Sequence, residues 1–134
     1  SKGDYACNGN AIKGRGTKFT IANITDGTSN TVVLGEKAMD TGYYNVGGWH
    51  WDEPIFSSAG GTSRSSGKIV QDRREETPSW NAGFYIGNWG SAHPGAAAFA
   101  LFDGSVRTIR YEPVEAVFLE WLSPAGGNVN LPLD

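Results

Sequence analysis

The sequence has one cysteine, Cys7, so no disulfide can form within the chain and the redox compartment is left open. It has no apolar run near the roughly 18 residues that suggest a membrane-spanning helix. It shows no charged, apolar and small-residue progression of a secretory signal at its start. It is poor in charge: 19% of residues are charged, against the roughly 25% usual for globular domains. Eleven basic and fourteen acidic residues give a net charge of -3, which provides no electrostatic footprint for nucleic acid. There is no His-x-x-x-His, no cysteine pair and no phosphate-cradling glycine loop followed by Lys and a helix. Zinc-site, redox and nucleotide motifs are therefore unsupported.

What the chain does have is glycine and tryptophan. Nineteen glycines, with many Asn, Ser and Thr, suit a turn-rich β protein better than a helical one. At 134 residues, one domain with a real core is expected over 1–134. Residues 1–16 read as a polar, glycine-rich extended segment or loop, and Lys18–Ile24 as a strand with Phe19 and Ile21 on one face. A turn cluster follows at Thr25-Asp26-Gly27-Thr28-Ser29-Asn30, then a β-branched strand at Thr31–Leu34. Alternating aromatics near Trp49 and Trp51 suggest another short strand. The stretch 57–80, with its charge run Asp72–Glu76, reads as a solvated surface loop.

The clearest pattern starts at His93. Nine residues separate it from Asp103-Gly104, and Ala97–Phe102 and Ser105–Tyr111 look like two strands joined there. A two-residue type I′ turn would set Phe102 opposite Ser105, Leu101 opposite Val106 and Phe99 opposite Thr108. Phe99, Leu101 and Val106 would then share one face, and Ala98, Ala100, Phe102 and Ile109 the other, giving a central hairpin covered on both sides. Pro113–Leu122 is the expected helix, with Pro113 in its first turn and Val114, Val117, Phe118 and Trp121 recurring at helical spacing. The class is thus α+β, with a mainly antiparallel sheet and a C-terminal α-helix.

Several residue groups could bear chemistry. His93 and Asp103 are candidate metal ligands, but a strand of about 20 Å separates them. Loop hydrogen bonding by His93 and turn formation by Asp103 account for both more simply. No nucleophile or second acid is spaced to make them catalytic, and Ser91 near His93 lacks a third partner. His50 with Asp52 and Glu53 offers one nitrogen and two carboxylates, short of a complete site. The oxygens of Asp26, Thr28, Ser29 and Asn30 lack the spacing of a calcium loop, and an Asx turn to their own backbone explains them. Trp49, Trp51, Trp80 and Trp89 form a candidate sugar-stacking platform, with core packing as the alternative.

Three segments carry a resemblance. Asp26, Gly27 and Asn30 lie in one motif, Ile24–Thr31, with Gly35-Glu36 after it. A second runs from Gly90-Ser91-Ala92-His93-Pro94-Gly95 to Asp103-Gly104, and a weaker third is Asp4–Asn10. Their order and spacing resemble a large prepilin-like bacterial family, abundant in planctomycete-type bacteria, that carries a histidine, nine residues, then Asp-Gly. The resemblance implies a pseudopilin-like β-rich head lacking its N-terminal helix, with Asp26 and Asp103 as turn anchors. It implies a non-enzymatic structural or adhesive subunit, periplasmic, extracellular or at the cell surface. Expected partners are like subunits or other pilin-type proteins. Nucleic acid is not expected, nor membrane contact through this fragment; the full-length form would be anchored by the missing helix. The rival is a carbohydrate-binding module using the tryptophans, with extracellular polysaccharide as partner. No cofactor is implied; calcium, held by some pseudopilin heads, is the one ion left open, and no matching ligand set is readable here.

Overall fold

Strand formation follows the burial alternation that the sequence encodes. The computed structural model describes residues 3–12, 18–45, 53–55, 60–75 and 83–127. In chain order its strands are β1 (Tyr5–Asn8), β2 (Val32–Glu36), β3 (Ser63–Arg64), β4 (Ile69–Gln71), β5 (Trp89–Ser91), β6 (Ala96–Leu101) and β7 (Val106–Arg110). One helix, α1 (Glu115–Leu122), follows them. Five strands make one sheet in the order β3-β1-β2-β6-β7, antiparallel except for the β1–β3 pair. β4 and β5 form a separate parallel pair. The α+β class and the C-terminal helix are as the sequence indicates.

The core lies on one face of the large sheet. Ala97, Phe99 and Leu101 alternate inward along β6, as the period of two requires. Phe118, Trp121 and Leu122 of α1 and Trp89 and Ile69 of the small sheet close over them. Phe99 sits edge-on to both Trp89 and Phe118, with ring centroids 5.5 and 5.2 Å away. Tilted edge contacts of this kind suit the aromatic quadrupole. A bulge at Val33 lets both Val32 and Gly35 face this core, opposite Leu101 and Phe99. Buried Asn8 ties helix to sheet, its Nδ2 donating to the carbonyls of Val32 and Leu122, each at 2.8 Å.

The hairpin differs from the expected one by a single residue. Phe99 pairs with Arg107 and Ala100 with Val106. The loop is Phe102-Asp103-Gly104: Gly104 N–H donates to Leu101 O, and Leu101 N–H to Ser105 O, both at 2.9 Å. Only Gly104, at φ 86°, is left-handed; Asp103 is not. This is a three-residue loop ending in a left-handed glycine, not a type I′ turn. The slip exchanges the faces of β7. Ile109 joins the core opposite Ala97, Arg107 stacks over Trp121, and Val106 points outward, 68% exposed. β7 is an edge strand, so the hairpin is neither central nor covered on both sides.

Other expectations also change. Residues 18–20 are irregular and Ile21–Asn23 is an exposed 3-10 turn, not a strand; Ile21 is left outside the core. The N-terminal polar segment contains β1, which pairs with β2 and β3 and places Ala6 in the core. Within the presumed surface loop, β3 and β4 form and both Arg64 and Ile69 are buried. The helix starts at Glu115, two residues after Pro113. The expected strand around Trp49 and Trp51 falls outside the described residues.

Candidate functional site

Five separate segments meet at the histidine motif. β2 ends at Glu36, and β5 ends at Ser91, from which the chain turns through His93 and Gly95 into β6. Asp72 follows β4 and donates its N–H to Ser91 O at 2.9 Å. Asp4 precedes β1, and its carbonyl accepts the Lys37 N–H at 2.9 Å. Tyr44 closes the ring from the segment after β2. Together Asp4, Glu36, Tyr44, Asp72 and His93 surround an open cleft of about 310 Å³, with Met39, Gly90 and Ala92 among its walls.

The groups are held differently. The Glu36 side chain is largely buried, and one carboxylate oxygen accepts the Ala98 N–H at 2.6 Å. The other faces His93 Nε2 at 3.6 Å, while the imidazole itself is 74% exposed. Glu36 and His93, from two different motifs, are therefore brought together, whereas His93 and Asp103 are set at opposite ends of β6. Asp72 accepts from the Met39 N–H at 2.9 Å and from the Tyr44 hydroxyl at 2.5 Å. Burial raises the Asp72 carboxyl above the usual carboxylate range, and the charges of Asp4 and Glu36 add to this against its hydrogen bonds. Burial and the bond to Asp72 also push the Tyr44 phenol well up, keeping it a protonated donor. The Tyr111 hydroxyl reaches the carbonyls of Ser91, at 3.0 Å, and of His93, so it pins the motif backbone from β7's end. Ser91 Oγ accepts the His93 N–H at 3.1 Å and is not paired with the imidazole.

The remaining motif residues serve the fold. Asp26 is buried and does not form a local Asx turn. Its carboxylate crosses the chain to accept the N–H groups of Gly126, at 2.6 Å, and Gly127, at 3.1 Å. Asn30 Nδ2 donates to the Asp26 carbonyl at 3.0 Å, and Gly27 takes φ 95°. Asp103 accepts from the Ser105 N–H and hydroxyl, which hold its exposed carboxyl below the usual range. Its N–H donates to Thr28 O at 3.1 Å, so the two Asp-Gly loops adjoin.

Trp89 leaves the sugar-platform set: it is fully buried in the core against Phe99 and Phe118. Trp49, Trp51 and Trp80, like His50 and Asp52, lie outside the described residues. Among the described residues no three His, Cys, Asp or Glu side chains are grouped to hold a metal ion. Sequence reasoning did not connect Asp4, Tyr44, Asp72 or Tyr111 with His93: Asp4 opened the weaker third motif, Tyr44 stood beside the candidate aromatic platform and Asp72 began the charge run of the presumed loop. The available signal for Asp72 was the short apolar pair Ile69-Val70 before it, which marks a strand end inside the presumed loop.

All five cleft residues fall inside residues 1–113, the span that matches a family described as a protein of unknown function, DUF1559. The chain belongs to this family. The DUF1559 match stops just before α1, although α1 supplies part of the core. No curated protein and no solved structure matches the chain.

Proposed function

We propose that the chain is the non-enzymatic head of a surface-exposed structural or adhesive subunit, resembling a pseudopilin or minor pilin, whose work is contact with like subunits. The observation that supports this most is the character of the cleft. Its tyrosine hydroxyl donates to Asp72, and Ser91 Oγ accepts the His93 backbone N–H rather than pairing with the imidazole. Its carboxylates come from segments far apart in sequence and line one open cleft. Such an arrangement grips a group presented from outside, and it sets no nucleophile against the imidazole among the described residues. The order of the His93 and Asp103-Gly104 elements, and their likeness to the prepilin-like pattern, supports the same reading.

The described residues include no helix long and apolar enough to cross a membrane. Anchoring, in this proposal, belongs to a segment preceding the head. The test is immunogold electron microscopy of the full-length protein in its own cells. Gold on filaments or a regular surface layer is the expected result, and label confined to the cytoplasm overturns the proposal.

A further inference from the structure

The large sheet ends at β7, and among the described residues no strand pairs with its outer side. The direction of its free backbone groups follows from its pairing with β6. Leu101 N–H donates to Ser105 O at 2.9 Å, and Tyr111 N–H to Gly95 O at 3.2 Å. In an antiparallel ladder such bonds recur at every second residue, so Arg107 and Ile109 also face β6. The N–H and C=O groups of Val106, Thr108 and Arg110 therefore point off the sheet. Ala98, opposite Thr108, has the same phase: its N–H turns away from β7 to the Glu36 carboxylate, at 2.6 Å. Val106, Arg107, Thr108 and Arg110 are all exposed. Such a row of backbone groups is a template for one more strand.

Charge decides which strand fits. β7 carries Arg107 and Arg110 and no acidic residue. Among the described residues neither arginine has a carboxylate in ion-pair range. Arg107 lies over the Trp121 ring at 5.0 Å. The Asp103 carboxyl feels its charge but is itself bonded to Ser105. A second copy of β7 would bring more arginines to the same seam and nothing to neutralise them, so the edge is guarded against its own kind. We infer that β7 takes up an extended acidic segment of another protein as an added antiparallel strand, the more stable of the two pairings. This inference does not depend on the subunit reading. Arg107 and Arg110 are three residues apart and so lie on opposite faces of the strand. The partner needs two carboxylates at the same spacing, Asp or Glu followed by two residues and another Asp or Glu. An apolar side chain directly after the second acid would cover exposed Val106. Backbone bonds to Val106, Thr108 and Arg110 supply the affinity, and the paired charges choose the partner.

The experiment is an NMR titration of the 134-residue chain with the peptide acetyl-Thr-Glu-Val-Thr-Glu-Val-Thr-amide. Its controls are the same peptide with both Glu changed to Lys, and the Glu peptide N-methylated at its central Thr. The Glu peptide should shift the Val106, Thr108 and Arg110 amide signals saturably and slow hydrogen exchange at Thr108 by about tenfold or more. The Lys peptide should bind about tenfold or more weakly, and the N-methylated peptide, which lacks one edge hydrogen bond, should lose binding as well. Arg110→Glu, at an exposed position, should weaken the Glu peptide and strengthen a peptide whose first Glu alone is Lys. Should that variant unfold, the N-methylated control makes the same test on the unaltered chain. No saturation by about 1 mM peptide, equal binding of the Glu and Lys peptides, or full binding of the N-methylated one overturns the inference. So does a peptide-free chain that sediments as a dimer with Thr108 already protected, which would give the edge to a second copy.

Discussion

Two glycines show how different costs hide behind one residue type. Gly104 needs its left-handed backbone, but a side chain there would meet nothing within 4 Å. Gly104→Val should therefore cost about 1–2 kcal/mol from backbone strain alone. Ser105→Ala should cost under about 0.5 kcal/mol, because it removes only an exposed hydrogen bond. Gly90 has no unusual φ, yet an added Cβ would lie 2.1 Å from Val70 O and 2.8 Å from Ala38 Cβ. Gly90→Ala should lose about 3 kcal/mol or more, since backbone on both sides must shift. Urea denaturation should show the largest loss for Gly90→Ala, a smaller one for Gly104→Val and the least for Ser105→Ala, and a Gly104→Val protein as stable as Ser105→Ala would contradict the loop geometry. Asp72 gives a prediction with a sign. Its folded-state carboxyl titrates above the roughly 3.9 of an unfolded aspartate. Between those two values the native state holds the extra proton, so stability falls as pH rises through the raised value. Asp72→Asn should melt at or above the parent temperature at pH 7, with the difference vanishing near pH 3. A variant that melts lower at pH 7 and not at pH 3 would show that the charge is stabilising.

At the scale of elements, the helix and the sheet are joined by one side chain as well as by apolar packing. Asn8→Ala strips the donors from Val32 O and Leu122 O inside the core and should cost about 2–4 kcal/mol in urea denaturation. A loss below about 1 kcal/mol would mean that packing alone docks α1. Element type was readable where the hydrophobic period was long: Ala96–Leu101, Val106–Arg110 and the helix all stand where the pattern places them. Register was not readable, because Asp-Gly is compatible with both a two-residue and a three-residue loop. That one-residue ambiguity decided which of Val106 and Ile109 entered the core. The strands β3 and β4 were hidden for another reason. Their two or three residues are too few to show a period, and they exist by pairing with β1 and β5.

For the whole molecule, α1 lies beyond the family match but inside the core. Phe118 and Leu122 are fully buried, and Phe118 contacts both Phe99 and Trp89. A chain ending at residue 113 should lose its cooperative thermal transition, because the apolar face of the large sheet would be open to water. A sharp melt in the shortened chain would show instead that the five-stranded sheet stands alone. The sequence by itself determined the class, the presence of the hairpin and the helix, and the motifs that place the chain near a known family. These follow from local periodicity and turn chemistry, which neighbouring residues carry. Only the tertiary structure decided that Asp26 clasps residues 126 and 127, that Trp89 is core, and that His93 answers to Glu36 rather than to Asp103. Those pairings join positions dozens of residues apart, and nothing in the local pattern of one segment records where another will be folded against it.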